Sequence, residues 1–420
     1  MLETRDLTIR FGGHVAVNRV SCVFTPGTLT IGTASTGGTI TVTVGGRKSV
    51  VITPTTTNTT TTATELAAAC AASTEPEFRE ITWTSSTNVV TFTGPADGAP
   101  ITVAKTDGGS NSTSLSASVT APLSPHDLND GANYSTGSLP SGTDTLVFEN
   151  SSVDAKYNAD ALTGITLAAV YRRSSFTGRL GLARDNPAGY PEYRVSEVEL
   201  DAPILYIEGA NSDAAGQVRI KSVSSSAVTV TVTGQPNAAQ LGSEAIEVRG
   251  TPASSVLRAT GGSVAVATGA SDTATIATLQ AADATVRLGT GVTLTNATYT
   301  NCTVRQACGS TTLVVQEGGT VEVVQAAAVG NSGLKVYRGT VRWMSSGATG
   351  NSPELGPGGV VDFRNAPASV TAGGTVSLAA GCGWLDPAGK IATSYSVQLN
   401  NCSLRDITLE VGPDKTLAVS

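Results

Sequence analysis

The strongest constraint on the fold is a repeat of short, valine-containing segments in the second half of the chain. Three of them share one pattern: "GGTVEV" (318–323), "RGTVRW" (338–343) and "GGVVDF" (358–363). Val321, Val341 and Val361 occupy matching positions in these segments and follow one another at intervals of 20 residues. A repeat of this length is typical of one turn of a parallel β-helix, whose turns must stack to bury their apolar side chains.

The alternation inside each repeat predicts which side chains face outward. Successive residues of a strand point to opposite faces. If the repeated valines point inward, Glu322, Arg342 and Asp362 point to solvent, and Trp343 belongs to the interior. Val286 and Val304 extend the same pattern upstream at slightly shorter spacings.

A second sequence similarity relates two distant turns of the predicted solenoid. "TNCTVRQ" (300–306) and "NNCSLRD" (400–406) differ mainly by conservative exchanges, so Asn301-Cys302 and Asn401-Cys402 lie 100 residues apart. Asparagine tolerates the left-handed backbone of a tight corner. A small, buried cysteine beside it suits a narrow interior. We therefore expect about five turns between two equivalent corners.

Composition agrees with a mostly β fold. Charged residues make up 14% of the chain, whereas an ordinary globular domain has roughly 25%. Glycine is abundant, and Thr, Val, Ser and Ala dominate the remainder. Such a chain lacks the Glu, Lys, Arg and Leu that long surface helices use, and it favours short strands joined by tight turns.

Residues 31–120 predict a small α+β module with the order ββαββ. A hairpin turns at Gly45-Gly46, an Ala-rich helix is capped by Thr62 or Thr64, and two strands follow. These elements are predicted at "TITVTVGGRKSVVI" (39–52), "TATELAAACAAS" (62–73), "FREITWT" (78–84) and "NVVTFTG" (88–94). The hairpin, the helix and the motif "PEFREITWT" (76–84) resemble modules that recur in bacteriophage structural proteins.

A turn-rich connector over residues 121–160 leads into the repeats. Its pattern of Asn133-Tyr134, Pro140 and "DTLVF" (144–148) resembles the entry segment of β-helical surface and phage proteins, which usually carry tryptophan where this chain has Tyr134. The predicted organisation is a leader (1–30), an attachment module (31–120), the connector (121–160) and a parallel β-solenoid (161–420).

The leader has a resemblance of its own. "FGGHVAVNRVSCVFTPGTLT" (11–30) and the residues before it, from Leu2, resemble the N-terminus of a branched-chain amino-acid ABC transporter ATPase. In that family, the aromatic residue at the position of Phe11 stacks on adenine, and a GxxxxGK[ST] phosphate loop follows. Here "IGTASTGGTITV" (31–42) follows instead, without the lysine that holds the phosphates. We therefore expect no ATP binding.

Several other classes of function are disfavoured. The net charge of −7 and the absence of basic runs argue against nucleic-acid binding. No stretch of about 20 apolar residues predicts a membrane-spanning helix, and nothing at the N-terminus resembles a secretion signal. Six cysteines without a CxxC pair, together with two histidines, predict buried free thiols, no metal site and no cofactor.

Glycan cleavage remains as an enzymatic alternative, because paired carboxylates on one face can cut polysaccharides. The strand "PEYRVSEVELDAP" (191–203) places Glu197, Glu199 and Asp201 on one parity, and Glu322 and Asp362 offer a second acidic pair. Outward charges of this kind also serve simply to solvate a sheet and block aggregation.

The leading interpretation is a non-enzymatic bacteriophage virion protein, either a tail fibre or spike or a capsid decoration. The resemblance implies a homotrimer located in the virion, with other virion proteins as partners and a host surface glycan as a further candidate partner. The charge and the hydropathy of the chain argue against nucleic acid as a partner and against a membrane span. A polysaccharide-degrading tailspike and a bacterial surface adhesin are the alternatives.

Overall fold

The computed structural model describes most of the chain. It covers residues 3–11, 14–23, 26–95, 98–116, 119–120, 124–183, 185–186, 189–209, 218–234, 246–331, 333–367, 369–372, 374–412 and 418–419. Strand residues 3–11, 14–23, 119–120, 185–186 and 190–191 are described by their backbone alone. About 47% of the chain is strand and 7% is helix. The predicted fold class, a small sheet-and-helix module followed by a parallel β-solenoid, is confirmed.

Two compact units divide the chain. The first contains residues 1–139, 153–161 and 181–197, and the second contains residues 140–152, 162–180 and 198–420. The elements before residue 121 are β1 (Glu3–Phe11), β2 (His14–Val23), β3 (Gly27–Thr33), β4 (Ile40–Val44), β5 (Lys48–Ile52), α1 (Thr59–Ala71), α2 (Pro76–Arg79), β6 (Thr82–Ser86), β7 (Val89–Thr93), β8 (Ile101–Asp107), β9 (Ser112–Leu115) and β10 (Val119–Thr120).

Two four-stranded antiparallel sheets form the first unit, with the orders β10-β8-β4-β5 and β6-β7-β3-β9. Helix α1 packs on β3, β6 and β7. Its buried face carries Ala63, Leu66 and Cys70, which join Ile31 and Phe92 in one hydrophobic core. The predicted hairpin over 39–52 is present, and both Gly45 and Gly46 have positive φ, which glycine adopts without a steric penalty.

Two local predictions in this unit were wrong. Helix α1 begins at Thr59, because Asn58 rather than Thr62 or Thr64 caps it by accepting hydrogen bonds from the amides of Thr60 and Thr61. The predicted strand over 78–84 begins only at Thr82. Pro76 starts the short helix α2 before it, since proline fits the first turn of a helix.

The leader forms a hairpin. Strands β1 and β2 pair antiparallel, with Phe11 opposite His14, and in the described part of the chain they make a separate two-stranded sheet. Strand β3, in contrast, is an inner strand of its sheet and buries Leu29 and Ile31. Position 30, where the leader was predicted to end, therefore lies within a core strand.

Truncation tests this division. A variant lacking residues 1–25 keeps β3 complete, so we expect its thermal midpoint, followed by far-UV circular dichroism, to stay within a few degrees of that of the full chain. A variant lacking residues 1–33 loses β3 and with it two buried side chains, so its first unit should unfold at a clearly lower temperature. Equal midpoints for the two variants would contradict this assignment.

The remaining elements follow in chain order: β11 (Thr145–Phe148), β12 (Ala169–Arg172), β13 (Asp185–Asn186), β14 (Tyr190–Pro191), β15 (Val198–Leu200), β16 (Ile204–Glu208), β17 (Val218–Ser222), β18 (Thr229–Thr233), β19 (Ile246–Arg249), β20 (Val256–Thr260), β21 (Ser263–Val266), β22 (Ala274–Ala282), β23 (Thr285–Leu288), β24 (Val292–Gln306), β25 (Ser310–Gln325), β26 (Leu334–Tyr337), β27 (Gly339–Ser345), β28 (Glu354–Leu355), β29 (Gly359–Asp362), β30 (Thr375–Ala379), β31 (Gly383–Leu385), β32 (Ser396–Asn400), β33 (Thr408–Glu410) and β34 (Ala418–Val419). Single 3-10 turns lie at Gly131–Asn133 and Leu404–Asp406.

The second unit is a parallel solenoid of about 11 turns. All of these strands except β13 and β14, which form a separate antiparallel pair, belong to one 22-stranded sheet. Most strands pair in parallel with the strand two positions later, so each turn contributes two strands. Face A contains β16, β18, β20, β22, β26, β28, β30 and β32. Face B contains β17, β19, β21, β23, β27, β29, β31 and β33. The long strands β24 and β25 pass from face A to face B.

An unbroken ladder of valines lines the inside of face B. Its members are Val264, Val286, Val304, Val321, Val341 and Val361, each the register partner of the next. All of them are at most 1% exposed. The 20-residue interval therefore measures one solenoid turn.

The corners from Asn301 to Asn401 each contain a left-handed residue. Asn301 and Asn401 have φ values of 50° and 52°, and between them Gly318, Arg338, Gly358 and Gly381 occupy the equivalent position with positive φ. Asn301 also donates a hydrogen bond to Asp283 of the preceding corner at 2.7 Å. Cys302 beside it is buried, whereas Cys402 is half-buried.

Candidate functional site

The three carboxylates first considered as catalytic residues all have hydrogen-bond partners. Glu199 points outward between Val198 and Leu200 and accepts from Lys221 at 2.7 Å and from Thr163 at 3.1 Å. Asp201 accepts from Thr166 at 2.8 Å. Glu197, in the first unit, is buried and accepts from Ser196 at 2.7 Å. The contacts of Glu199 and Asp201 join segments that are 22 to 36 residues apart, so they connect neighbouring parts of the fold.

Face B carries a continuous outward stripe of charge, which we term the charged column. Its members occupy successive turns in register: Arg287, Arg305, Glu322, Arg342 and Asp362. Glu322 and Asp362, the second predicted acidic pair, are therefore separated by the strand that carries Arg342. Strands in a sheet are about 4.8 Å apart, so two turns separate these carboxylates by about 10 Å.

Each carboxylate of the charged column is engaged by arginine. Arg364 binds Asp362 through two nitrogens, at 2.9 and 2.7 Å. These hydrogen bonds lower the pKa of Asp362 and keep it ionised. Glu322 is shared, since Arg305 lies 3.7 Å from it on one side and Arg342 lies 3.5 Å away on the other. The column and Arg364 together carry more positive than negative charge.

An open groove of about 390 Å³ lies at the upstream end of the charged column. We term it the arginine groove, because Arg287 and Arg305 are the charged groups among the described residues that line it. Thr268, Gly269, Gly289 and Gln325 also line it. The arrangement places two guanidinium groups on adjacent strands.

Gly289 is required at the wall of this groove for packing. A Cβ at that position would overlap the carbonyl oxygen of Ala267 in the preceding turn. We expect Gly289→Ala to lower the free energy of unfolding by about 1–3 kcal/mol, because the backbone must shift to accommodate the methyl group. The matched control is Gly164→Ala, since nothing lies within 4 Å of a Cβ there. Equal urea midpoints for the two variants would contradict the prediction.

A second cavity, of about 310 Å³, belongs to the first unit. Beside it, Glu80 accepts from Arg194 at 2.6 Å and from the hydroxyl of Tyr193 at 2.9 Å. Arg194 also donates to Glu192 at 3.0 Å and lies over the ring of Tyr157. Burial raises the pKa of the Tyr193 hydroxyl. This network ties together segments that are more than a hundred residues apart in sequence, so we assign it a structural role.

The predicted nucleotide features are placed as follows. Gly12 and Gly13, which follow Phe11, lie outside the described residues. The segment 31–42, where the ATPase family has its phosphate loop, runs from β3 through a turn into strand β4. In the ATPase family that loop instead leads into a helix, whose N-terminus helps to bind phosphate.

Comparison with known proteins does not assign the chain to a family. No protein-family model, curated protein or solved structure matches it. The evidence for function therefore comes from the fold and from the surface chemistry of the chain itself.

The described residues contain neither a helix that could span a membrane nor a cluster that could hold a metal ion. No helix in them is both long and apolar enough to cross a membrane. No group of three or more His, Cys, Asp or Glu side chains that could hold a metal ion was found among them. The cysteines with described side chains are free thiols: Cys70, Cys302, Cys308, Cys382 and Cys402.

The arginine groove was not singled out from the sequence, although a signal for it existed. Val286 and Val304 were already part of the repeat, and the residues after them are Arg287 and Arg305. Each arginine follows its valine as Glu322 follows Val321. The alternation that predicts an outward Glu322 therefore also predicts that both arginines point outward. The Glu80–Arg194 network had no comparable signal, because its members are 114 residues apart.

Proposed function

We propose that this chain is a non-enzymatic structural protein of a bacteriophage virion that presents its solenoid as a rigid attachment surface. The observation that carries the proposal is the in-register solenoid of about 11 turns. The resemblance of residues 31–120 to phage structural modules supports the same assignment. In this proposal the first unit joins the particle, as a tail fibre, a spike or a capsid decoration, and the solenoid provides the exposed surface.

A parallel solenoid suits this task because its outward side chains are arranged in columns. Equivalent positions recur about every 4.8 Å from turn to turn. A linear polymer on the host surface can therefore contact several turns at once, so that weak individual contacts add up. The charged column is an example of such a column, because its outward side chains occupy equivalent positions on five successive turns.

The oligomeric state in this proposal is a homotrimer, which follows from the resemblance to solenoid phage proteins. Three parallel bodies multiply the binding sites that face one host cell and raise avidity without any new contact. Light scattering coupled to gel filtration measures the mass of the full chain in solution. A mass three times that of the chain is expected, and a stable monomer would contradict this part of the proposal.

The non-enzymatic assignment is favoured by the partners of the acidic residues. Glu199 is held by Lys221 and Asp201 by Thr166, as structural side chains are. A glycosidase instead needs two carboxyl groups positioned on either side of a bond, one of them as a proton donor. The alternative is a polysaccharide-degrading tailspike, and an activity measurement distinguishes it from the non-enzymatic assignment.

Location tests the proposal. Particles released from cells that express the protein are purified on a density gradient and labelled with an antibody against residues 246–420. We expect the protein to sediment with the particles and gold label to decorate their surface. Protein that remains in the particle-free fraction would overturn the virion assignment, and label on the cell envelope in cultures without particles would instead support the adhesin.

A further inference from the structure

We propose that two adjacent tyrosines on the outer side of the solenoid bind the hexopyranose units of a neutral polysaccharide. They are Tyr171 of β12 and Tyr206 of β16, which are register partners on neighbouring strands. Together with Val147 and Ile204 beside them, we term them the tyrosine platform. The proposal names the ligand class of the attachment surface and therefore rests on the proposed function.

The tyrosine platform spans three neighbouring strands of the solenoid. Val147 is the register partner of Tyr171, just as Tyr171 is the register partner of Tyr206. The two rings are in contact, with centroids 5.9 Å apart and an angle of 44° between their planes. Ile204 lies two residues before Tyr206 and therefore on the same side of the strand. Val147 and Ile204 are 40% and 41% exposed, so the platform is an open apolar surface and not part of the core.

The hydroxyl groups of the platform tyrosines distinguish them from several other tyrosines of the chain. Among the described residues, the hydroxyl groups of Tyr171 and Tyr206 have no protein partner. Tyrosines elsewhere use this group in a hydrogen bond within the fold: Tyr134, Tyr193, Tyr299, Tyr337 and Tyr395. The platform therefore combines apolar rings with hydroxyl groups that are available to a ligand.

An ion pair borders the platform on one side. Arg173 and Glu208 lie two residues after Tyr171 and Tyr206, and a nitrogen of Arg173 lies 2.9 Å from a carboxylate oxygen of Glu208. The Arg173 side chain is 42% exposed and lies over the Tyr171 ring, 4.7 Å from its centroid. A guanidinium has five N–H groups. Among the described residues, the bond to Glu208 is the only one that the Arg173 guanidinium donates, so its other N–H groups can donate to a ligand.

Glu208 supplies acceptors at the same place. One of its carboxylate oxygens accepts from the amide of Ser174 at 2.8 Å and the other accepts from Arg173. These hydrogen bonds lower the pKa of Glu208 and keep it ionised. An ionised carboxylate has about four acceptor positions, so two remain for hydroxyl groups of a ligand.

The ligand class follows from this arrangement of apolar and polar groups. A hexopyranose with equatorial hydroxyl groups presents C–H groups on both faces of its ring and O–H groups around its edge. The C–H faces suit the tyrosine rings, and the O–H groups suit the guanidinium and the carboxylate beside them. Turns of the solenoid are about 4.8 Å apart, close to the length that one such unit adds to an extended polymer. Successive sugar units can therefore meet successive turns.

The size of the platform argues against a protein partner. A buried aromatic side chain covers roughly 150–250 Å². Two half-buried tyrosines with parts of a valine and an isoleucine therefore offer on the order of a few hundred Å² at most. A standard protein interface buries about 800 Å² on each partner. The apolar surface also does not continue downstream, because polar Thr231 and Arg258 occupy the next positions in the same register.

The test measures the binding of cellohexaose, a chain of β-linked glucose, to the full chain by isothermal titration calorimetry. Sorbitol is the control compound, because it has hydroxyl groups but no ring. The variants are Tyr171→Ala, Tyr206→Ala and Tyr206→Phe. The matched control is Tyr337→Ala, since Tyr337 is also a half-buried, outward tyrosine of face A, but its hydroxyl donates to Glu354.

We expect cellohexaose to bind and sorbitol not to bind. Tyr171→Ala and Tyr206→Ala should each weaken binding at least about fivefold, since aromatic side chains at the centre of a contact carry much of its energy. Tyr206→Phe keeps the ring and should lose less affinity than Tyr206→Ala. Tyr337→Ala should bind like the natural chain. Salt should leave the affinity unchanged, because a neutral ligand is not subject to screening.

Three results would overturn the inference: no binding of cellohexaose, equal affinities of Tyr171→Ala and Tyr337→Ala, or binding of sorbitol as tight as that of cellohexaose. Thermal midpoints of the variants within a few degrees of the natural chain separate lost binding from lost folding. Light scattering adds a fourth criterion. A smaller mass for the double variant of Tyr171 and Tyr206 than for the natural chain would assign the platform to a contact between copies and overturn the inference as well.

The binding assay needs no particle, so its outcome is independent of the location experiment. Binding of cellohexaose by a protein that is absent from particles would contradict the proposed function alone. A protein that decorates particles and does not bind cellohexaose would overturn the present inference alone.

Discussion

Replacing Trp384 with alanine is expected to lower the free energy of unfolding of the solenoid by about 3–5 kcal/mol, the usual cost of removing a large aromatic side chain from a core. Trp384 is fully buried inside the solenoid. Its ring centroid lies 4.8 Å from that of Phe363 and 5.8 Å from that of Tyr395, and its indole N–H donates to the Tyr395 hydroxyl at 3.2 Å. The substitution removes all three interactions and leaves a cavity.

Urea unfolding followed by far-UV circular dichroism measures this effect without depending on the lost fluorophore. Trp384→Phe keeps the ring contacts and should lose clearly less stability than the alanine variant. Met344→Ala is the surface control, because Met344 is 36% exposed, and we expect a change within about 0.5 kcal/mol. A loss below about 1 kcal/mol in Trp384→Ala would show that this aromatic column does not pack as described.

The second large effect is expected at a buried ion pair. Arg219 and Glu247 are register partners on face B, their side chains are fully buried, and the Arg219 Nε lies 3.0 Å from a Glu247 carboxylate oxygen. Glu247→Ala removes this carboxylate and leaves a buried guanidinium without it. The cost of breaking a buried pair in this way is about 3–5 kcal/mol.

A double variant shows whether the loss of stability comes from the unpaired charge or from the change in side-chain packing. Arg219→Met combined with Glu247→Leu removes both charges, so it should recover much of the stability that Glu247→Ala loses. Glu322→Ala, at an exposed pair with Arg342, is the matched control and should cost less than about 1 kcal/mol in the same urea titration. Similar losses for Glu247→Ala and Glu322→Ala would contradict the burial of the Arg219–Glu247 pair.

The sequence predicts the buried aromatic column better than it predicts the buried ion pair. The repeat predicts that Trp343 lies inside, and the structure places it fully buried, 6.3 Å from Phe363 in the same aromatic column as Trp384. Arg219 and Glu247 break the rule that outward charges are exposed, because both are buried on the outer side of face B, although Lys221 on the same strand as Arg219 is 42% exposed. Alternation reveals which residues share a side of a strand, but it does not reveal which side is covered.

The solenoid was predictable because every turn reuses the same backbone positions. Val321, Val341 and Val361 repeat at a constant interval, and each partners the next in register. The first unit was less predictable, since its helix and strand boundaries depend on single residues such as Asn58 and Pro76. Its strands β8 and β9, which the predicted ββαββ order does not include, had no repeat to mark them.

Function was the least predictable part. The leader resembles an ATPase over a short stretch, but no phosphate-loop motif follows it in the sequence. The acidic residues Glu197, Glu199 and Asp201 share one parity, yet each is held by its own partner. The arginine groove arises only when two turns stack, because its two charges are 18 residues apart in the chain and adjacent in the sheet.

The most direct test of the proposed attachment function is to incubate the full chain with purified host-surface polysaccharide and to measure retention of the polymer and release of reducing ends together. The account predicts that the polymer is retained and that reducing ends stay at the level of the protein-free control. Release of oligosaccharides that is lost in Glu199→Gln and kept in Glu322→Gln would contradict it and establish a polysaccharide-degrading enzyme.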